Sequence, residues 1–422
     1  MKQLIITIGC LIGLCLTASG QGLEFIKGDL KEALKKAKAE NKQVFIDFTA
    51  TWCVPCKKME ENVFSKEEVG TYYNQHFVCC QIDIDQYKDI AKKYGIRSIP
   101  TVLYLNPNGK EVKRVVGSMG IPRFLHMARV VKGEEASFDK LYESYKKDKE
   151  NPELQQGILY EAPFFVNTLD KIEAETWQKR LNAIYKEYTD KKTPEELINE
   201  RDFAIMSFFE KGMKKHNEQV EFMIRQQDAY REKVPVPEFH NFIISYKLNQ
   251  IKYLAITGDT TYRTEIARVE GDLKPFFSEL KKNELNLTDM LTYDADAFYQ
   301  IYSQKDQNAY ITAKKAYFQQ VGEGVDAKEY EEAVTHLFKP TRGRLNANAA
   351  KECLIWLEKL LAGEQETIKQ IQWLSMMGDC FSRLSEKKEA QAAYNQAYMT
   401  SLQVNNPGLR KHLYDKMKSF EE

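Results

Sequence analysis

The sequence predicts an α/β layer fold, a mixed sheet flanked by helices, followed by a mostly α-helical region. Three observations predict it. Between residues 21 and 133, short apolar runs alternate with segments whose apolar residues recur at helical spacing. An Asn108-Gly109 turn joins the last two apolar runs as a hairpin, which places an antiparallel pair in the sheet. From residue 134 the strand signals fade and long helical patterns take over. Composition sets the bounds. The 61 Lys and Arg balance 61 Asp and Glu, which removes the main electrostatic reason to expect a nucleic-acid partner. With 43% hydrophobic and 12% aromatic residues the chain has material for packed cores, so global disorder is excluded.

The elements follow in order. Lys2 is the only charge in the first twenty residues, a mostly apolar stretch runs from Leu4 to Leu16, and Thr17-Ala18-Ser19-Gly20 are small. This reads as a secretory signal, residues 1–20, cleaved after Gly20, and no transmembrane helix is expected. A lipid anchor at Cys10 or Cys15 is the weaker reading, because Leu14 is large and Cys10 lies early in the apolar run. Cleavage leaves six of the eight cysteines, too few for a disulfide-stapled scaffold.

Asp29 to Glu40 has the spacing of an amphipathic helix, and Val44 to Phe48 reads as a buried strand. A helix is expected from Cys53, and another from Ser65, where Ser65-Lys66-Glu67-Glu68 has the form of a capping box. Phe77 to Ile84 is a strand, Gln86 to Tyr94 a helix stopped by Gly95, and Thr101 to Leu105 and Glu111 to Val116 the hairpin strands. Ile121 to Val131 closes this segment as a helix with Pro122 in its first turn.

Beyond it, helices are expected at Leu169–Tyr188, Pro194–Lys214 and Asn217–Lys233, the second opened by Thr193 as cap, with breaks near Pro163 and Pro340 among others. Leu374, Met377, Gly378 and Phe381, then Ala390, Tyr394 and Ala397, have the pattern of a tetratricopeptide helical pair. No second copy follows at a fixed step, so a degenerate array and an irregular bundle both stand.

The chemistry lies in the run from Asp47 to Lys57. Cys53 and Cys56 sit three apart where a buried strand meets a helix. At a helix start the free backbone N–H groups favour negative charge, which raises the thiolate fraction of Cys53. Cys56, one turn in, is within disulfide reach and is expected to be the more shielded. As half of a zinc site the pair lacks two further ligands. Cys79 and Cys80 are neighbours on a strand and point to opposite faces, and no two of the six His have ligand spacing. No metal is therefore expected, and a permanently oxidised structural disulfide is the remaining alternative. Cys353 and Cys380 lie on separate helices, either bridged or unpaired.

Trp52-Cys53-Val54-Pro55-Cys56-Lys57 resembles the active-site motif of the thioredoxin superfamily. Asp47 matches the family's buried acid, Ile99-Pro100-Thr101 its cis-proline loop, and Gly117 the glycine before its last helix. Thr51 to Cys56, with Phe64-Ser65, is especially similar to exported members such as the C-terminal domain of membrane thiol-disulfide interchange proteins. The resemblance covers residues 21–133.

It implies a thioredoxin-like fold and a thiol-disulfide oxidoreductase acting on disulfide-containing client proteins through Cys53 and Cys56, with Asp47 taking a proton from Cys56. It also implies a cis Ile99–Pro100 bond, with Ile99, Pro100 and Trp52 as client-binding residues. Asp47 as a strand-end ion pair and Trp52 as a core residue are the structural alternatives. The family often has a Lys near this acid, and Gln81 stands there instead. No cofactor is expected; a membrane electron donor and a periplasmic location are. The competing function is a redox-sensing adaptor in which residues 134–422 bind partner proteins.

Overall fold

The computed structural model describes residues 22–419 apart from 212–213, 279, 281–285 and 364–365. The segment read as a secretory signal, with Cys10 and Cys15, lies outside the described residues. The chain forms two compact units, one ending at Leu197 and one running from Ile198. Among the described residues no helix is long and apolar enough to cross a membrane.

The first unit is built on a five-stranded mixed sheet of order β1-β3-β2-β4-β5, and the predicted fold class is borne out. The strands are β1 (Phe25–Lys27), β2 (Gln43–Thr49), β3 (Phe77–Asp83), β4 (Thr101–Leu105) and β5 (Glu111–Val116). β1 and β2 run parallel to β3, whereas β4 is antiparallel to both β2 and β5. Five helices belong to this layer: α1 (Leu30–Glu40), α2 (Val54–Met59), α3 (Glu67–His76), α4 (Lys88–Lys93) and α5 (Ile121–Lys132).

Strand alternation sorts β2 between two cores. Ile46 and Phe48 point to the face packed by Leu30, Ala33 and Ala37 of α1. Phe45 points to the other face, with Met59, Val63, Phe64, Tyr73 and Phe124. There the Tyr73 ring stacks on Phe124 at 4.3 Å, and its hydroxyl meets both the Tyr104 hydroxyl at 2.6 Å and the Phe124 carbonyl at 2.9 Å. The buried phenols are thus satisfied. Cys79 and Cys80 are free thiols divided between the two cores.

Several local expectations differ from the structure, each for a physical reason. β1 has three residues, too short to show a period. The capping box at Ser65 does not form. After α2 the chain continues through a π-helical turn over Glu60–Phe64, and the Ser65 hydroxyl donates back to the Glu61 carbonyl at 2.6 Å. Lys66 becomes the residue before α3, with no side-chain cap. Thr193 and Glu196 do bond reciprocally, but they close only a 3₁₀ turn over Glu195–Leu197. A helix restarts at Glu200 on the Asn199 cap.

Pro163 does not break its helix. It lies near the end of α7 (Pro152–Val166), where the missing N–H costs one hydrogen bond, and Pro340 is likewise accommodated near the end of Ala327–Thr341.

Three helices beyond residue 133 pack in the first unit: α6 (Phe138–Tyr145), α7 and α8 (Lys171–Asp190). Phe164 of α7 enters the core that holds Phe124 and Leu125 of α5. Beside it His126 of α5 bridges two carboxylates. Its Nδ1 meets Glu135, and its Nε2 lies 2.5 Å from Oε1 of the fully buried Glu161 of α7. Lys113 of β5 approaches the other Glu161 oxygen at 4.0 Å. Phe138, Phe165 and Trp177 join α6, α7 and α8, the two phenyl rings stacked at 3.8 Å.

The second unit is helical, from Glu200–Phe209 to Pro407–Lys418. Thr367–Arg383 and Lys387–Ser401 pack so closely that a Cβ on Gly378 would lie 2.4 Å from the Tyr394 ring. Cys353 and Cys380 are free, buried thiols in one core. Lys247, fully buried, is held by Glu221 at 2.5 Å and Glu265 at 2.9 Å. Lys247 and Arg268 together keep the Glu221 carboxyl at about 2, against the burial that would raise it.

The His126 bridge generates a prediction. His126→Ala leaves Glu161 buried with only the distant Lys113 opposite. It should cost about 3 kcal/mol and speed amide exchange in residues 152–166 roughly 100-fold. Unchanged protection there would show that the bridge does not hold α7 in place.

Candidate functional site

β2 leaves the sheet at Thr49, and Ala50 to Trp52 turn the chain into α2. Cys53 is the N-cap residue. Its own N–H donates to the Ala50 carbonyl at 3.0 Å, and its carbonyl accepts from Lys57 N at 3.1 Å. Its sulfur accepts the Cys56 N–H at 3.2 Å. Pro55 sits in the first turn, where its missing donor has no partner to lose. Cys53 and Cys56 are joined as a disulfide.

The expected contrast in shielding between the two cysteines is absent in this oxidised form. Cys53 is 3% and Cys56 4% exposed. Ala50 packs with them, and Ile84 and Ile99 close over the pair from the sides. What reaches solvent is the rim: Trp52, 63% exposed, with Val54, Pro55 and Lys57. Trp52 is therefore not a core residue. Its indole N–H donates to Asp85 at 2.8 Å, which fixes the ring against the turn after β3. The sequence reading missed Asp85; its only local signal is the Asp83–Gln86 turn, where Asp83 accepts the Asp85 and Gln86 N–H groups.

The Ile99–Pro100 peptide bond is cis. Pro100 is buried and Ile99 half-buried against the cysteines. The Thr101 hydroxyl donates to the Ser98 carbonyl at 2.7 Å, and Gly117 N donates to the Pro100 carbonyl at 2.8 Å. Gly117 has φ +98°, a left-handed conformation that a side chain would strain. These two bonds hold the loop on either side of Pro100.

Asp47 lies mid-strand in β2, 2% exposed, in register with Gln81 of β3 and Val102 of β4. By alternation it shares the face of Phe45, the face covered by Met59, Val63 and Phe64 after the cysteines. Burial pushes its carboxyl up to about 7. A hydrogen bond from Gln81 opposes the rise, and the nearby Glu60 carboxylate adds to it. Gln81 Nε2 donates to Asp47 Oδ2 at 3.1 Å. Neither sulfur is hydrogen-bonded to Asp47, and no strand-end ion pair forms on it among the described residues.

Chemically, the site combines a disulfide, an N–H aimed at the first sulfur and a carboxyl that changes charge near neutrality under the same helix. Among the described residues no group of three or more His, Cys, Asp or Glu could hold a metal ion.

The comparisons with known proteins follow the same residues. The thioredoxin-like domain family matches residues 30–132. Thioredoxin-1 of Drosophila melanogaster is 39% identical over 70 residues, 17% of this chain and 63% of that protein. An H-type thioredoxin of Fagopyrum esculentum is 36% identical over 87 residues, 21% of this chain and 71% of that protein. A solution structure of a candidate disulphide-isomerase from Bacteroides thetaiotaomicron is 36% identical, covering 28% of this chain and 98% of the other, with a TM-score of 0.26. The chain thus spans under two thirds of the first of these relatives and somewhat more of the second. Through its first compact unit, this chain belongs to the thioredoxin superfamily.

Proposed function

We propose that the chain is a thiol-disulfide oxidoreductase that reduces protein disulfides. The observation that carries this reading is the Cys53–Cys56 disulfide at the helix start, with the Cys56 N–H aimed at the Cys53 sulfur. In the reduced form that N–H stabilises a Cys53 thiolate. The thiolate attacks one sulfur of a client disulfide. A Cys53–client bond forms, the client's S–S bond breaks, and one client sulfur leaves as a thiolate. Cys56 then gives its proton to Asp47 and attacks the Cys53 sulfur. The Cys53–Cys56 bond forms and the second client sulfur departs. The dithiol has lost two electrons and the client has gained them.

Ile99, Pro100 and Trp52 form the surface on which an extended client lies. The support is their position: Ile99 packs on the pair, and Trp52 is the most exposed ring beside it. To turn over, the oxidised pair must be reduced by a thiol donor. An exported chain supplied by a membrane electron carrier is the arrangement we propose, on the strength of the apolar N-terminal stretch.

The full mature chain is the right material for assay, because α6 to α8 complete the first unit. It should reduce insulin disulfides, and Cys53→Ser should lower that rate by about 10³-fold or more. Cys56→Ser should accumulate client adducts through Cys53 that dithiothreitol releases. An active wild type whose Cys56→Ser variant traps nothing would refute the assigned order of attack.

Asp47 generates a second prediction. Its carboxyl is neutral in both folded and unfolded chains below about pH 4, so it costs nothing there. As pH rises toward and through about 7, ionising it in the fold becomes unfavourable. Stability present at low pH is thus lost on the way up. Asp47→Asn should be more stable than wild type at pH 8 by on the order of 4 kcal/mol, with the gap shrinking toward pH 4. Denaturant titrations at several pH values measure this. A gap independent of pH means the carboxyl is not held neutral by burial.

A further inference from the structure

The last two helices of the second unit are Lys387–Ser401 and Pro407–Lys418. They pack through Ala397 and Leu413, which are buried with Ile371 and Leu374. The same two helices line a groove of about 470 Å³. Tyr398 and Leu402 come to it from the first helix and its end, and Pro407, Arg410, Lys411 and Tyr414 from the second. Residues four apart share one side of a helix, so Tyr398 with Leu402, and Arg410 with Tyr414, arrive in pairs. The Tyr398 and Tyr414 rings lie 5.9 Å apart. Leu402 and Tyr414 stay exposed, as does Met399, next to Tyr398 in sequence.

The charges lining this groove are of one sign. Arg410 is half-buried, and its Nε–H is buried without a hydrogen-bond partner among the described residues. Lys411 is exposed, and no lining residue is acidic. Other cations of the chain are differently placed. Lys416, on the same helix, meets Asp379 at 2.6 Å, and Arg114, Arg225, Arg231, Arg263 and Arg268 each hold a carboxylate. A guanidinium keeps its charge at any working pH, and a buried donor without an acceptor is unfavourable. The groove thus joins an apolar wall to two cations that no acid of the described residues pairs with.

We propose that this groove binds an acidic polypeptide segment in which a carboxylate neighbours an aromatic or large aliphatic side chain. The carboxylate meets the Arg410 guanidinium and the Lys411 ammonium, and the apolar side chain lies against Tyr398, Leu402 and Tyr414. Charge complementarity is the argument for this occupant. A nucleic-acid strand calls for a row of cations along its backbone, whereas the groove has two and the whole chain balances 61 Lys and Arg with 61 Asp and Glu. A flat lipid surface meets protruding cations, and Arg410 is half-buried. The proposal does not rest on the oxidoreductase reading; it gives the second unit a partner of stated chemistry.

The test titrates the full chain into fluorescein-labelled peptides of alternating glutamate and leucine, or glutamate and phenylalanine, and reads anisotropy. Binding should saturate and should weaken as salt is added. Replacing the glutamates by glutamine should weaken it about 10-fold or more, and Arg410→Gln should do the same. Lys411→Glu changes an exposed position where folding is little affected. It should also weaken binding, and it decides alone if Arg410→Gln does not fold. The proposal is overturned if neither acidic peptide binds saturably, if the glutamine peptides bind as tightly, or if both variants bind as the wild type does. Oligothymidylate or phosphatidylglycerol vesicles that bind more tightly than the peptides, with the same loss in Lys411→Glu, would overturn it in favour of a nucleic acid or a lipid surface. Self-association of the chain that is lost in the same variants would overturn it in favour of a second copy.

Discussion

A carboxylate in the middle of a central strand constrains the rest of this site. Asp47 is enclosed by β3, β4 and the aromatic face around Phe45, where water cannot compensate an ionised oxygen. Such a position survives only if the fold around it is over-determined. Here Phe45, Tyr73 and Phe124 pack edge and face within about 5.5 Å of one another, and the phenols bond among themselves. The stable aromatic core therefore tolerates an acid whose charge is unfavourable, and the acid keeps its proton up to the range where thiols begin to ionise. The same strand then delivers Cys53 a few residues later, so the position of the sulfur follows from the strand that buries the acid.

The sequence was most informative where period and chemistry agree. The strands from Val44, Phe77, Thr101 and Glu111 are legible because each is an apolar or alternating run bounded by polar turns, and their ends differ from the structure by a residue or so. The cysteine pair is legible because strand, Trp-Cys and Pro-Cys fall in one short register. Local bonding choices were not. Ser65 could cap a new helix or satisfy the carbonyl behind it, and the π turn after α2 decided for the second. Thr193 makes the bonds of a capping box, yet bonding of that kind sets only one turn, and continuation needs a buried face on the residues that follow.

Long-range pairings were invisible for another reason. Nothing near His126 in sequence identifies Glu161, 35 residues away, as its partner, and neither residue type suggests burial. Yet this pairing, with Phe164 beside it, explains why the compact unit extends past α5. An imidazole between two carboxylates is poor at holding elements together in water and effective where water is excluded, because each partner left alone would be a buried, unsatisfied group. The choice of polar rather than apolar contacts also fixes which face of α7 meets α5, since only one rotation of that helix presents Glu161.

In the proposed reaction, the shielding of both sulfurs gives the exposed rim a purpose. A client cannot reach Cys53 through open solvent, because Ala50, Ile84 and Ile99 lie against it. On the proposed function it would approach over Trp52 and Val54, which are apolar and exposed, and meet the half-buried Ile99 beside the sulfur. Burial of apolar client surface on that rim would then accompany the chemistry, and the surrounding dielectric would fall as water leaves. In the proposed reaction, the proton released when Cys56 attacks would then have no open path to solvent. On that reading Asp47 would be the internal acceptor, which would tie the exposed tryptophan, the covered disulfide and the buried carboxyl into one requirement: exclude water, but keep one place for the proton to go.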